Sequence, residues 1–197
     1  MLNYHTRLLA ALIYLFLPCG SLQAQEKTHS LPISVSLLAE TITLPRTKNV
    51  FNRLNPGIRI GTEFSYSRGK PTQWFQTLSL TYYRHKQLHD AFLLNTQVGW
   101  RRYVGNFYPE VLLGVGYGLQ HSSMHRFTNS SKGTFEKASP FMHKLMPSLA
   151  LGVGYRINTV TAVFTRYEFM AELPFVYNGN PLLPHQLLHT GVLLQKN

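Results

Sequence analysis

Between positions 57 and 67 the chain places Ile58, Ile60, Thr62, Phe64 and Tyr66 at one parity and Arg59, Gly61, Glu63, Ser65 and Ser67 at the other. A strand sends successive side chains to opposite faces, so such a segment has one largely apolar and one polar face. The pattern returns five more times. Trp74, Leu78, Leu80 and Tyr82 oppose Thr77, Ser79, Thr81 and Tyr83. Phe92, Leu94, Thr96, Val98 and Trp100 oppose Asn95, Gln97, Gly99 and Arg101. Val111, Leu113, Val115, Tyr117 and Leu119 oppose Glu110, Gly114, Gly116, Gly118 and Gln120. Leu145, Leu149, Leu151, Val153 and Tyr155 oppose Ser148, Ala150, Gly152, Gly154 and Arg156. Val163, Tyr167 and Phe169 oppose Arg166, Glu168 and Glu172. Segments 33–43 and 185–195 alternate less cleanly and complete a set of eight. Each runs about 11–13 residues, roughly twice the usual globular strand and long enough for a tilted membrane strand with aqueous ends.

The connections alternate in kind. Those at 44–56, 85–90, 121–143 and 174–184 are mostly long and rich in Asn, Pro, Ser, His and Lys, whereas 68–73, 104–107 and 158–159 are short. Long loops at one end of a barrel and tight turns at the other are what transmembrane barrels show, with the long set facing outward. No segment of the mature chain is apolar for the length a spanning helix needs, so a membrane form must be a closed barrel in which every backbone group is paired. Charged residues make up only 14% of the chain, sparse for a water-facing surface.

The first 24 residues read as a secretory signal peptide. Arg7 supplies the positive start, 8–17 the apolar core, and Ala24 the small residue before the cut. The only cysteine, Cys19, lies within it, preceded by Phe16-Leu17-Pro18, a poor setting for lipidation. Residues 25–31 form a short lead and 32–197 the barrel domain. The mature chain is then free of disulfide and thiolate chemistry.

Periodicity alone does not say which face is outside. Apolar residues inward would give a soluble secreted barrel with a ligand cavity, apolar residues outward a membrane barrel. The glycines at 114, 116, 118, 152 and 154 share the polar parity. Small residues suit the crowded interior of an eight-stranded barrel, which is only just wide enough for side chains to fill. The polar face is therefore assigned to the lumen. Arg59, Glu63, Arg101, Glu110, Arg156, Arg166, Glu168 and Glu172 would line it, four Arg against four Glu. They are expected to pair into a plug. Tyr66, Trp74, Tyr82, Trp100, Tyr108, Tyr155 and Tyr167 lie near strand ends and would form interfacial girdles.

The blocks Glu110-Val111-Leu112-Leu113-Gly114-Val115-Gly116-Tyr117 and Leu149-Ala150-Leu151-Gly152-Val153-Gly154-Tyr155 resemble those of the small outer-membrane β-barrel proteins of Gram-negative bacteria, the OmpA/OmpX-like size class. The resemblance spans about 32–197. It implies an all-β, eight-stranded antiparallel up-and-down transmembrane barrel in the outer membrane, with lipid and lipopolysaccharide as surroundings. Members commonly end on a strand with a terminal aromatic. Here Gly191, Val192 and Leu194 fit, but Gln195-Lys196-Asn197 ends without one.

The net charge of +11 calls for an anionic partner. No Lys/Arg run is long enough for a nucleic-acid arm. Arg46, Lys48, Arg53, Arg126, Lys132 and Lys137 fall in outward connections, at the level of lipopolysaccharide phosphates, where charge-assisted contacts are strong. His121-Ser122-Ser123 resembles the His-x-Ser pair of outer-membrane lipid A deacylases, with Glu136 the available acid. The Asn-rich context of that pair is missing. His121, His125 and His143 lack a metal-ligand spacing. The expectation is a structural or surface-interacting monomer without cofactor, metal or catalytic residues, with a lipid A acyl hydrolase or a soluble ligand carrier as alternatives.

Overall fold

The computed structural model describes residues 31–41, 55–66, 71–85, 89–122, 127–129, 135–137, 139, 141–173 and 182–195. Among these residues ten strands follow one another: β1 Ile33–Thr41, β2 Asn55–Ser65, β3 Thr72–His85, β4 His89–Arg102, β5 Phe107–Ser122, β6 Phe127–Asn129, β7 Phe135–Lys137, β8 Phe141–Arg156, β9 Thr161–Glu172 and β10 Leu183–Leu194. Eight of them close into a barrel in the order β1-β10-β9-β8-β5-β4-β3-β2, every pair antiparallel. Closure is made by β1 on β10, from Ile33 opposite Leu194 to Thr41 opposite Gln186. Closure leaves no strand edge unpaired, which is what allows a sheet to cross a bilayer. No helix among the described residues is long and apolar enough to cross a membrane.

The second outward connection, short already in the sequence, is narrowed to 86–88, because β3 and β4 stay paired up to His85 opposite His89. The third carries a small hairpin of its own, β6 on β7, outside the barrel. Its short Phe-containing runs lie in a polar stretch and have too few residues to show a period. On the other side the turn at 103–106 is tight, with Gly105 at φ 63°, a backbone region that costs a glycine little.

The apolar parity faces out. Leu37 is 71% exposed and Leu113 66%, while Glu168 on the opposite parity is fully buried. The exterior also carries Tyr66, Trp74 and Tyr155 near the inner strand ends, and Trp74 lies opposite Trp100. Tyr108 is not in this girdle. It shares the parity of Glu110, is buried in the lumen, and fills space that Gly154 leaves open: a Cβ there would come within 2.2 Å of its ring. Gly99 makes the same allowance for Phe75.

Candidate functional site

The bore is filled by side chains in tiers. Lowest, nearest the short turns, is a ring of four charges. Arg101 Nη2 meets Glu63 Oε2 at 2.7 Å and Glu110 Oε2 at 3.0 Å. Arg166 meets the same two carboxylates, by Nη2 on Glu63 Oε1 at 3.0 Å and Nε on Glu110 Oε1 at 2.5 Å. Four strands, β2, β4, β5 and β9, are thus tied across the lumen. Arg101 stacks on Phe75 at 3.7 Å and Arg166 on Phe164 at 4.3 Å, so the aromatic faces desolvate the cations without leaving them unattended.

Above it Glu168 is the hub. Its oxygens receive Arg59 Nη1 at 2.7 Å, Gln97 Nε2 at 2.8 Å and Asn95 Nδ2 at 3.1 Å, with His189 Nε2 at 3.1 Å. Arg59 also donates through Nε to Thr81 Oγ1 at 2.7 Å. Nearest the outer mouth, His185 lies between two carboxylates, Nδ1 at 2.9 Å from Glu40 Oε1 and Nε2 at 3.1 Å from Glu172 Oε2. Glu172 takes further bonds from Gln120 at 2.7 Å and Lys144 at 2.9 Å, and Glu40 one from Asn55 at 2.9 Å. Buried charges persist only when paired and hydrogen-bonded in this way.

Seven residues expected in the lumen, Arg59, Glu63, Arg101, Glu110, Arg166, Glu168 and Glu172, lie in these tiers. Arg156 does not. It is at the inner end of β8, half-exposed, with its guanidinium 4.1 Å from the Tyr103 ring, and no carboxylate pairs with it among the described residues. The tally of four Arg and four Glu is therefore replaced by five Glu facing Arg59, Arg101, Arg166 and Lys144, with His185 between two of the Glu. Glu40, Lys144, His185 and His189 were legible only by extending the strand parity into segments where alternation is weak.

Of the basic residues expected at the outer surface, Arg46, Lys48, Arg53, Arg126 and Lys132 lie outside the described residues, and Lys137 ends β7. Ser123 and His125 also lie outside them. Glu136 is in β7, on the barrel's outer side. His121 projects outward from the upper end of β5, exposed, with its ring 5.1 Å from Phe141 and with Asp90 of β4 opposite it in register. His143 faces outward too, its Nδ1 2.5 Å from the Tyr117 hydroxyl. Among the described residues no three His, Cys, Asp or Glu side chains gather as metal ligands.

Solved structures share this architecture. Neisserial surface protein A superposes with a TM-score of 0.53 at 10% identity, over 84% of this chain and 96% of that one. The fold is that of the small outer-membrane β-barrels. The attachment invasion locus protein of Yersinia pestis gives a TM-score of 0.49 at 12% identity, covering 85% of this chain and 99% of that one. The outer membrane enzyme PagL gives 0.46 at 11% identity, covering 81% and 97%. No protein-family description and no curated protein sequence matches the chain. An apolar exterior around a polar, paired interior suits a bilayer and not water. With that exterior, the fold places the protein in the outer membrane.

Proposed function

We propose that the protein is a non-catalytic, non-conducting monomeric barrel whose outer connections bind the phosphate-bearing lipopolysaccharide of the surrounding leaflet. The observation that carries this is where the acidic residues go. Glu40, Glu63, Glu110, Glu168 and Glu172 are buried in the bore, five of the chain's eight acidic residues. The outward connections 42–54, 86–88, 123–140 and 173–182 hold seven Lys or Arg and one acidic residue, Glu136. An excess of one sign at one end concentrates anions there. The filled bore supports the absence of conduction, since an eight-stranded barrel has no room for both this network and a water column.

Changing Arg126, Lys132 and Lys137 together to Gln is expected to weaken binding of the purified barrel to lipopolysaccharide roughly a hundredfold at low salt, from about 1 kcal/mol per basic residue near an anionic surface. The loss should shrink as salt rises. Equal binding by variant and parent at low salt would remove this reading.

One observation favours a second reading, a lipid A acyl hydrolase. The register sets Asp90 opposite His121 on the lipid-facing side, two residues before Ser123. A serine that attacks an acyl ester needs a His to take its proton and an acid to orient that His. Asp90 is shared with Arg84 at 3.6 Å. Release of fatty acid from lipid A that disappears in both Ser123→Ala and His121→Ala would establish this reading in place of the first.

A further inference from the structure

At the inner end of the barrel, below the four-charge ring, the bore opens into a recess of about 470 Å³ lined by Gln73, Tyr103, Tyr108, Arg156, Val160 and Leu193 among others. Its volume falls in the range of small-molecule sites, which are mostly apolar with a few placed polar groups. Tyr108 is among its lining residues, and the Arg101 guanidinium carbon lies 4.9 Å from the Tyr108 ring. Among the described lining residues, Arg156 is the cation.

Arg156 differs from the three Arg in the tiers above. Those are buried and each meets at least one carboxylate within 3.0 Å. Arg156 instead stacks on Tyr103 at 4.1 Å, and that tyrosine is itself fixed, its hydroxyl donating to Gln73 Oε1 at 3.2 Å and its ring 5.1 Å from Tyr108. A guanidinium held flat on an aromatic keeps its edge donors free for a planar anion, and carboxylate matches that fork in two parallel bonds. Of the segments at the inner end, the turns 66–71, 103–106 and 157–160 contain no Asp or Glu, and the nearest acidic residue in the lead before β1 is Glu26. The remaining wall is of two kinds. Val160, Leu193 and the tyrosine rings offer apolar contact, while Gln195 offers an amide that can pair with a peptide group; the Gln73 amide is engaged within the chain, by the Tyr103 hydroxyl at Oε1 and with Ser65 Oγ at Nε2.

We propose that this recess is a periplasm-facing site for the free C-terminal carboxylate of a short peptide segment, with the carboxylate on Arg156, the last side chain against Tyr103, Tyr108 and Leu193, and a peptide group on Gln195. The site is independent of the outer connections and opens to the opposite compartment.

The test is a titration of the full-length folded barrel in zwitterionic detergent, read by backbone amide shifts of Gly105, Thr159 and Leu193. The probes are an apolar tripeptide with a free carboxylate, the same tripeptide as its C-terminal amide, and inorganic phosphate. The free acid should give saturable shifts at these amides. The C-terminal amide should bind at least tenfold more weakly. Arg156→Gln should lose a similar factor, and Arg156→Lys, which keeps the charge but not the fork, should fall between. Each variant is checked for folding by its change in gel mobility on boiling. Equal shifts with acid and amide, or binding unchanged in Arg156→Gln, would overturn the proposal. So would displacement of the tripeptide by phosphate at equal concentration, which would make the recess a general anion site. An Arg156→Gln chain that fails to fold would leave Arg156→Lys and the acid–amide comparison to decide.

Discussion

Arg166→Met is expected to destabilise the barrel by about 3–5 kcal/mol, because it leaves buried carboxylates with half their compensation. In the parent, Glu63 and Glu110 share two guanidinium groups; in the variant, Arg101 alone faces both. The measurement is equilibrium unfolding in denaturant of the barrel in lipid or detergent, followed by the fluorescence of Trp74 and Trp100. The sharper part of the prediction is the rescue. In Glu110→Leu/Arg166→Met one carboxylate and one guanidinium are removed together, and Arg101–Glu63 remains as a complete pair. This double variant should be more stable than Arg166→Met alone, since replacing a buried pair by apolar groups is often nearly neutral while orphaning one partner is not. A double variant as unstable as the sum of its single changes would mean that the four charges do not act as a paired unit.

Leu113→Arg should cost about 2–4 kcal/mol in a bilayer, the penalty for a cation on the lipid face at mid-depth. Leu113 lies near the middle of β5 and is two-thirds exposed. On a water-facing surface the same change would cost almost nothing. Ile33→Arg, at the inner end of β1, provides the comparison, because near the interface the penalty falls to about 0–1 kcal/mol. Unfolding in lipid vesicles should separate the two variants by depth. Equal, small effects at both positions would mean that the apolar exterior does not lie in hydrocarbon.

Much of this was legible in the sequence because a strand's period is two and a barrel needs little else. Once Ile58, Ile60 and Phe64 share a parity, Arg59 and Glu63 share the other, and neighbouring strands must agree or the sheet cannot bury either set. Segment length, the order of long and short connections, and glycines confined to the polar parity then imply a closed barrel. Where that reading went astray, the cause was local. Tyr108 was assigned to the interface because of its residue type, although its parity with Glu110 pointed inward. Arg156 was counted in the network because its parity was right, although its height on the barrel placed it below the carboxylates of the bore among the described residues. Lys144 escaped the sequence reading because β8 runs further outward than its clean alternation shows.

The sequence by itself determined the number of barrel strands, the two faces of each and the identity of most charges in the bore, since these follow from alternation along one chain. Only the tertiary structure decided which charge meets which. Glu63 and Arg166 are 103 positions apart, and Glu40 and His185 are 145 apart. Their pairing depends on strand register and on height around a closed ring. Backbone hydrogen bonding between distant strands sets both quantities, and a linear pattern does not carry them. Among the described residues, the same geometry withheld a carboxylate from Arg156 and left it facing an open recess.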